Sequence, residues 1–516
     1  MANSGNIRYS DSRHEPIHYQ PPPPLESGIK SILEWLAMAN GRTGSDDADQ
    51  LHKHLLLLRD APVPTAQRLK ILDLIFKETE RVVTAELPNL LEVGLPISRK
   101  IRQRVRIVQD LLETLAQEYF NTLAELFDPQ GISSSHPAQT TLIFITRCLA
   151  WHIRISHLIA SPINIGLWQK MHAAFRTARR LGIHQVAGVR GAPTVQQLYA
   201  CSLLAAIAQP ASFCARELEF IVTFVENCIR PVDILDIPPM DCNGIFWVDL
   251  DRDFPAHALI RRSPPVDSPS LYFACDPAAR RSGELLTALE EGATATSLGL
   301  PEFADTHAGR GVLRRLQLLW GHPAKRKFPR RRQSYRVSLC SGLDQLWTLI
   351  REPDERHQIS EWMVINESPD GYSLMHMSGQ TDNARVGDIV AVQAIGERAE
   401  LKPLWHVCIV RWAISENPEH VELGLQQLAS HVIAAELARP LELDAKHISA
   451  LILPEMPPLR PHAGIVVQTG TLPANARKLV LLIEKDNLEI REVRPTKLTE
   501  QTSSIEVFTV EPNETP

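Results

Sequence analysis

The spacing of apolar residues changes near Gly321, and this change most constrains what the chain can fold into. Before it, from residue 25 to about residue 231, apolar side chains recur every three or four residues, as on one face of a helix. After it, short β-prone runs are separated by turn-forming residues. A chain of 516 residues is also too long for one ordinary core. We therefore expect an α+β multidomain protein whose two halves fold independently.

The first large domain is predicted to cover residues 26–320 and to be mostly helical. Residues 168–181, for example, have an amphipathic helical pattern that Gly182 ends. A small β-rich insertion is expected at about residues 244–275, where short strand-like segments alternate with prolines. We find no convincing internal repeat, so the pattern favours a helical bundle or short solenoid that serves as an interaction or scaffold domain.

The N-terminus and the cysteines bear on the cellular setting. Residues 1–25 are polar and include four consecutive prolines, which indicates a disordered lead rather than a signal peptide. The most apolar stretch, residues 141–160, is interrupted by arginines and histidines, so we expect no transmembrane segment. The eight cysteines include no CxxC pair. This usage indicates reduced thiols in a cytoplasmic protein, without a zinc site or a disulfide.

Charge is distributed unevenly along the chain. The net charge of -6 argues against a protein built around nucleic acid. Positive charge is instead concentrated in residues 325–332, where every residue except Phe328 and Pro329 is lysine or arginine. A local concentration of this kind suits a discrete anionic ligand.

Two short strings about thirty residues apart carry the clearest functional information. Residues 332–336 read RQSYR and residues 366–371 read NESPDG, so an RxxxR pattern precedes an NxSxxG pattern. Each string stands beside a strand-like segment. In this order and at this spacing, the pair resembles the PilZ domain family, whose members are small β-barrels that bind cyclic di-GMP.

The resemblance implies a set of ligand-binding residues. Arg331, Arg332 and Arg336 would hold phosphates and guanine faces, and arginine suits this role because its planar fork of donors pairs with phosphate and with guanine O6 and N7. Asn366 and Ser368 would bind a guanine edge, and at i and i+2 they face the same side of a strand. The implied role of Gly371 is to shape the turn.

The PilZ-like barrel is predicted over residues 326–430 and a β-rich extension over residues 431–516. Residues 405–413 (WHVCIVRWA) and 420–425 (HVELGL) are typical of two paired strands. Their Arg-Trp pair and Glu-Leu-Gly-Leu run also resemble the later strands of PilZ domains. Residues 430–437 are predicted to form a short helix, and further β-like segments follow.

None of the other motifs indicates a metal site or a catalytic site. Residues 249–253 alternate carboxylates like a calcium loop, but Phe254 and Ile260 occupy the positions that need Gly and Glu. His152 and His157 lack an HExxH string, so no metal site is expected. We find no set of catalytic side chains, and no GGDEF or EAL string. We therefore expect neither an enzyme nor a bound cofactor.

Three hypotheses follow. In the first, the chain is a receptor in which cyclic di-GMP orders the arginine segment between the domains and so changes how the helical domain contacts an unidentified protein partner. In the second, it is a protein-interaction adaptor whose PilZ-like barrel no longer binds ligand, although the intact arginines argue against this. In the third, the basic run binds nucleic acid, which the acidic total and the lack of interleaved aromatic residues disfavour.

Overall fold

The structure is a computed structural model that describes most of the chain. The described residues are 25–38, 45–126, 135–188, 191–229, 232–240, 243–266, 268–323, 328–353, 355–378, 381, 384–396, 404–417, 420–438, 448–457, 460–472, 478–484 and 487–512. The lead predicted over residues 1–25 therefore lies outside them except for Leu25, and so do Lys325, Arg326 and Lys327 of the basic run.

The described part of the chain begins with eight α-helices that share one apolar core. Along the fourth of them the buried residues recur at helical spacing, as at Val105, Val108 and Leu112. The seventh begins with a capping box in which Thr194 and Gln197 each accept a backbone N–H. The helices are α1 Leu25–Ala37, α2 Ser45–Asp60, α3 Thr65–Leu90, α4 Arg99–Leu126, α5 Ser135–Leu158, α6 Leu167–Arg180, α7 Val195–Ile207 and α8 Ala215–Cys228.

A small antiparallel sheet and two more helices complete the helical region. The sheet has the order β1-β4-β2-β3, with β1 Ile234–Leu235, β2 Ile245–Asp249, β3 His257–Ala258 and β4 Ser270–Ala274. The helices are α9 Asp276–Glu290 and α10 His307–Gly321. Trp320 in α10 is fully buried, and its Nε1 donates to the carbonyl oxygen of Leu204 at 3.2 Å. The predicted β-rich insertion in a mostly helical region is confirmed.

Next comes a closed, antiparallel six-stranded barrel in the order β10-β7-β6-β5-β8-β9. Alternate residues such as Tyr335, Val337 and Leu339 fill its core, as the two-residue period of a strand requires. One helix, α11 Leu343–Arg351, was not predicted and lies between β5 and β6. The strands are β5 Arg331–Ser341, β6 Ser360–Ser368, β7 Gly371–Ser378, β8 Ile389–Ala394, β9 His406–Asn417 and β10 His420–Ala429.

The remaining strands form a second closed barrel in the order β11-β12-β13-β16-β15-β14. The short helix predicted for residues 430–437 is wrong. Residues 433–437 of that segment belong to β11, which pairs with both β12 and β14. Alanine, glutamate and leucine favour helix locally, but pairing on both sides overrides this weak preference. The strands are β11 Ile433–Ala438, β12 Ile448–Leu453, β13 Gly464–Gln468, β14 Leu479–Glu484, β15 Leu488–Gln501 and β16 Ile505–Pro512.

The two barrels share an apolar core. Ile389 and Ile409 of the first barrel belong to the same buried cluster as Leu451 and Ile505 of the second, and Leu346 of α11 fills the space with them. Polar contacts reinforce this junction. The hydroxyl of Thr502 donates to the carbonyl oxygen of Gly387 at 2.9 Å. One side of the first barrel is therefore covered.

The helical region also contacts the first barrel directly. Arg102 of α4 donates to the carbonyl oxygen of Ser415 in β9 at 3.0 Å and to its hydroxyl at 2.9 Å. The backbone N–H of Ser415 donates to the carbonyl oxygen of Ala160 at 2.8 Å. The α+β multidomain fold expected from the sequence is thus confirmed. Among the described helices, none has the length and apolar character needed to cross a membrane.

Candidate functional site

The pairing of β5 with β6 places the two sequence strings side by side. Arg331 lies opposite Glu367 and Arg332 lies opposite Asn366, while Arg336 pairs with Met363 farther along. One extra residue bulges from β5 between Arg332 and Tyr335. Cross-strand partners in an antiparallel pair face the same side, so Arg332 and Asn366 project together.

That side is the outer face of the barrel. On β7, Asn366 pairs with Ser373, and the neighbours of Ser373, Tyr372 and Leu374, belong to the core. Successive residues of a strand point to opposite faces, so Ser373 and its partner Asn366 point outward. The outward row therefore contains Arg332, Asn366 and Ser373 on three consecutive strands.

A tight turn joins β6 to β7 and contains the second string. Ser368 and Gly371 pair across the turn. The hydroxyl of Ser368 donates to Oδ1 of Asp370 at 2.6 Å, so its oxygen is left to accept a hydrogen bond from a ligand. The carbonyl oxygen of Asp370 accepts from the backbone N–H of Gln427 at 2.8 Å, which fixes the turn against β10.

The backbone of β10 passes very close to Gly371. A Cβ atom at this position would collide with the carbonyl oxygen of Leu425 in β10. Only glycine lets β7 and β10 approach in this way. Its expected role in shaping the turn thus has a steric basis, which is separate from any contact with a ligand.

The three arginines differ in whether they form an ion pair with a carboxylate. Arg331 and Arg332 are exposed, and within the described residues neither has a carboxylate within ion-pair distance. Arg336 is exposed too, but its Nη1 lies 2.9 Å from Oε1 of Glu361. The side chain of Asn366 is half-buried and has no hydrogen-bond partner among the described residues. Arg331, Arg332 and Asn366 are therefore available to a ligand, whereas Arg336 must leave or share Glu361.

The acidic residues of the two strings are held by neighbours. Oε2 of Glu367 accepts from the hydroxyl of Tyr335 at 3.0 Å. Asp370 accepts from Ser368 within the turn. Both carboxylates are thus engaged beside the outward row. Among the described residues there is no cluster of histidine, cysteine or acidic side chains that could hold a metal ion.

The sequence led us to expect that the arginine segment links the two domains. The structure shows that it does not. Arg331 to Arg336 lie within β5 and pair with β6. Ordering of these residues is therefore a property of the barrel itself, and coupling to the helical region must use another contact.

Comparison with known families decides the class of the barrel. Residues 348–433 match the family model described as the middle PilZ domain of the cyclic-di-GMP receptor FimW. The chain contains a PilZ domain. The resemblance inferred from the two strings is confirmed, and the matched part of the PilZ domain includes Asn366, Ser368 and Gly371. It begins after Arg336, so the role of the arginines stays a prediction, as does that of the other site residues.

The region ahead of the PilZ domain also has a counterpart. Residues 30–239 match the model described as the N-terminal domain of the cyclic-di-GMP receptor FimW. The chain is similar to the cyclic-di-GMP receptor FimW of Pseudomonas aeruginosa, with 20% identity over an alignment that covers 94% of this chain and 91% of that protein. The likeness therefore extends across the PilZ domain and both of its flanking regions.

Two further residues of the PilZ domain, Trp412 and Gly424, were not predicted as site residues. The sequence indicated only that they lie in strand segments typical of the family. Gly424 pairs with Ser373 on one side and with Trp412 on the other, so it continues the outward row onto β10. A Cβ at Gly424 would collide with the indole of Trp412, which lies across it. The Arg-Trp pair and the Glu-Leu-Gly-Leu run were the available signals, but only the strand register joins them to Asn366.

Proposed function

We propose that this protein is a non-enzymatic receptor for cyclic di-GMP that couples ligand binding to contacts of its helical domain with a protein partner. The observation that carries the proposal is the pairing of unengaged Arg332 with unengaged Asn366 on the outer face of a PilZ barrel. A guanidinium and a primary amide at that separation suit a ligand that combines phosphate with guanine.

The arrangement favours cyclic di-GMP over a mononucleotide. Arg332 offers a cation to one phosphate on the outer face, and the exposed side chain of Arg331 at the start of β5 offers a second. Asn366 offers both a donor and an acceptor to a guanine edge. The relative from Pseudomonas aeruginosa is named as a receptor for the same molecule. The scattered cysteines fit a cytoplasmic receptor, because a reducing compartment keeps such thiols free.

Isothermal titration of the full-length chain tests the proposal. Cyclic di-GMP should bind in the micromolar range or tighter, and GMP and GTP should bind much more weakly. No measurable binding of cyclic di-GMP would instead support the adaptor hypothesis, in which the barrel has only a structural role.

A further inference from the structure

A cavity of about 360 Å³ lies between the helical region and the second barrel. Its volume is within the range of small-molecule sites, roughly 300–1,000 Å³. One wall is formed by α10 and the end of α9, and the other is formed mainly by β15 and β16. No described residue of the PilZ barrel lines it. The cavity is therefore separate from the outward row that contains Arg332 and Asn366.

Hydrogen bonds between side chains hold the two walls together. Oε1 of Glu506 accepts from Nε2 of Gln501 at 2.8 Å and from Nδ1 of His307 at 2.8 Å. Oε1 of Gln501 accepts in turn from Nη1 of Arg314 at 2.8 Å. Glu506 is only 2% exposed, so these links between α10 and the second barrel are shielded from water. The cavity is therefore preformed, and a ligand that enters it loses little free energy to rearrangement.

Two cations of the cavity have no acidic partner. The two described carboxylates that line it are both engaged, because Glu290 pairs with Arg314 at 2.7 Å and Glu506 accepts the hydrogen bonds given above. Arg310 and Lys497 also line the cavity, and among the described residues neither has a carboxylate within ion-pair distance. Positive charge is therefore left over for an anionic ligand.

Arg310 is placed to contact such a ligand. It lies three residues after His307 and four before Arg314 on α10, so these side chains share one face of the helix. Its Nε atom is buried, yet within the described part of the chain it has no hydrogen-bond partner. A buried donor without an acceptor costs free energy, which a bound anion would recover. Lys497 is exposed and reaches the same cavity from β15.

The remaining wall determines what kind of anion fits. Leu472, Leu498 and Phe508 add apolar surface beside the charged face of α10. An inorganic ion would leave this surface in contact with water, whereas an organic body would cover it. Two unpaired cations suit a group with a charge near −2, and a phosphate monoester carries about −1.5 to −2 at pH 7. A carboxylate would neutralise only one of them.

We propose that this cavity binds a small organic phosphate monoester. Its phosphate contacts Arg310 and Lys497, and its apolar body lies against Leu498 and Phe508. The site lies outside the PilZ domain, so the proposal does not depend on the binding of cyclic di-GMP. A ligand held here contacts α10 and β15 together, and it would stabilise the junction between the helical region and the second barrel.

Isothermal titration of the full-length chain with phenyl phosphate tests the proposal, because this probe joins a phosphate monoester to one aromatic ring. At constant ionic strength, phenyl phosphate should bind saturably, and inorganic phosphate and phenol should each bind at least about tenfold more weakly. Arg310→Gln and Lys497→Gln should each weaken binding of phenyl phosphate about tenfold, on the scale of one lost hydrogen bond to a charged group.

Matched controls come from exposed cations elsewhere in the helical region. Arg280 on α9 and Lys53 on α2 do not line the cavity, so Arg280→Gln and Lys53→Gln should bind phenyl phosphate like the unmodified chain. Lys497 is exposed, so Lys497→Gln should fold normally and keeps the test decisive even if Arg310→Gln lowers stability.

Three results would count against the inference or separate it from the receptor function. If phenyl phosphate does not bind, or binds the unmodified chain, Arg310→Gln and Lys497→Gln equally, the cavity is not a phosphate site and the inference is overturned. Inorganic phosphate that binds as tightly as phenyl phosphate would overturn the assignment of an organic ligand. A chain that binds phenyl phosphate as described but not cyclic di-GMP would defeat the proposed function and leave this inference standing.

Discussion

Arg332 and Asn366 lie directly opposite each other on two antiparallel strands of the PilZ barrel. Their Cβ atoms are therefore held at roughly 5 Å, a separation set by the backbone rather than by side-chain packing. One planar ligand can contact both at once. This relationship turns two separate sequence strings into one surface.

Removing the guanidinium of Arg332 should weaken binding without changing the fold. Loss of one partner of a charged hydrogen-bonded pair typically costs about 2–5 kcal/mol when the pair is desolvated. Titration of Arg332→Ala with cyclic di-GMP should therefore show an affinity reduced by well over tenfold. Arg280→Ala is the matched control, since Arg280 is an exposed arginine on α9 that pairs with Asp276. Equal affinities of the two variants would remove Arg332 from the site.

Gly371→Ala should disturb both stability and binding. The added Cβ would collide with the carbonyl oxygen of Leu425, so β7 and β10 must separate, and overpacking of this kind costs about 1–3 kcal/mol. Thermal unfolding followed by circular dichroism should show a lower midpoint, and cyclic di-GMP should bind more weakly. A Cβ at Gly28 in α1 would meet nothing within 4 Å, and alanine favours helix over glycine, so Gly28→Ala should not lower the midpoint and should leave binding unchanged. An unchanged midpoint for Gly371→Ala would contradict the steric argument.

The shared core predicts which fragments of the chain can fold. A fragment of residues 326–516 contains both barrels and should be soluble, with a circular dichroism spectrum dominated by β structure. A fragment of residues 326–430 would expose Ile389 and Ile409, which in the full chain pack against Leu451 and Ile505. We expect that shorter fragment to aggregate or to unfold at a lower temperature. A shorter fragment as stable as the longer one would show that the two barrels fold separately.

Hydrogen exchange should register the ligand in two separated places. Adding cyclic di-GMP should slow exchange at the start of β5 and in the β6–β7 turn, where backbone groups beside the ligand open less often. If ligand binding is coupled to the helical region, peptides covering residues 207–213 and 315–320, which line a cavity against β9 and β10, should slow as well. Protection limited to the barrel would indicate a binder without coupling to the helical region.

Buried histidines should make the helical region sensitive to acid. Burial lowers the pKa of His152 and of His172 to about 4, against about 6.5 in an unfolded chain. The unfolded chain therefore binds more protons between these values, and stability is lost as the pH falls from about 6.5 towards 4. Each histidine could remove roughly 3 kcal/mol at most. Urea unfolding at pH 7 and pH 5 should show this loss.

His172 provides the specific variant for that experiment. Its Nε2 lies 2.8 Å from the carbonyl oxygen of Phe254 and must donate, so Nδ1 accepts from the hydroxyl of Tyr199 at 2.9 Å. Protonation would remove that acceptor. His172→Gln should lower stability at pH 7 but make its pH dependence shallower, whereas exposed His431→Gln should leave the dependence unchanged. An equally steep dependence in His172→Gln would assign the acid sensitivity to other groups.

Periodicity predicted the elements whose burial follows a simple pattern. The paired strands β9 and β10 were expected from alternating apolar residues and a turn-rich gap, and the helices of the first region from their apolar faces. The helix predicted for residues 430–437 was wrong. Their composition favours helix, and a strand forms there only because it pairs with two distant strands. The closure of the later strands into a second barrel likewise depends on contacts that no local pattern reveals.

The candidate site was predictable in its residues but not in its surroundings. Arg332 and Asn366 could be proposed from the two strings, since both belong to short local patterns. The position of Trp412 beside them depends on three successive strand pairings, β6 with β7, β7 with β10 and β10 with β9. The side chains of α10 that face Trp412 come from about a hundred residues earlier. Contacts of that separation are set by tertiary packing alone.

The closure of both barrels limits how other proteins can associate with this one. A closed barrel has no unpaired strand, so neither barrel offers a template for β-augmentation or for edge-to-edge aggregation. In the described part of the chain, the open sheet ends in β1 and β3, which are only two residues long each. Within the described residues, a partner of either barrel would therefore be recognised through side chains. The specificity of such a complex would then depend on the chemistry of exposed surfaces and not on backbone pairing.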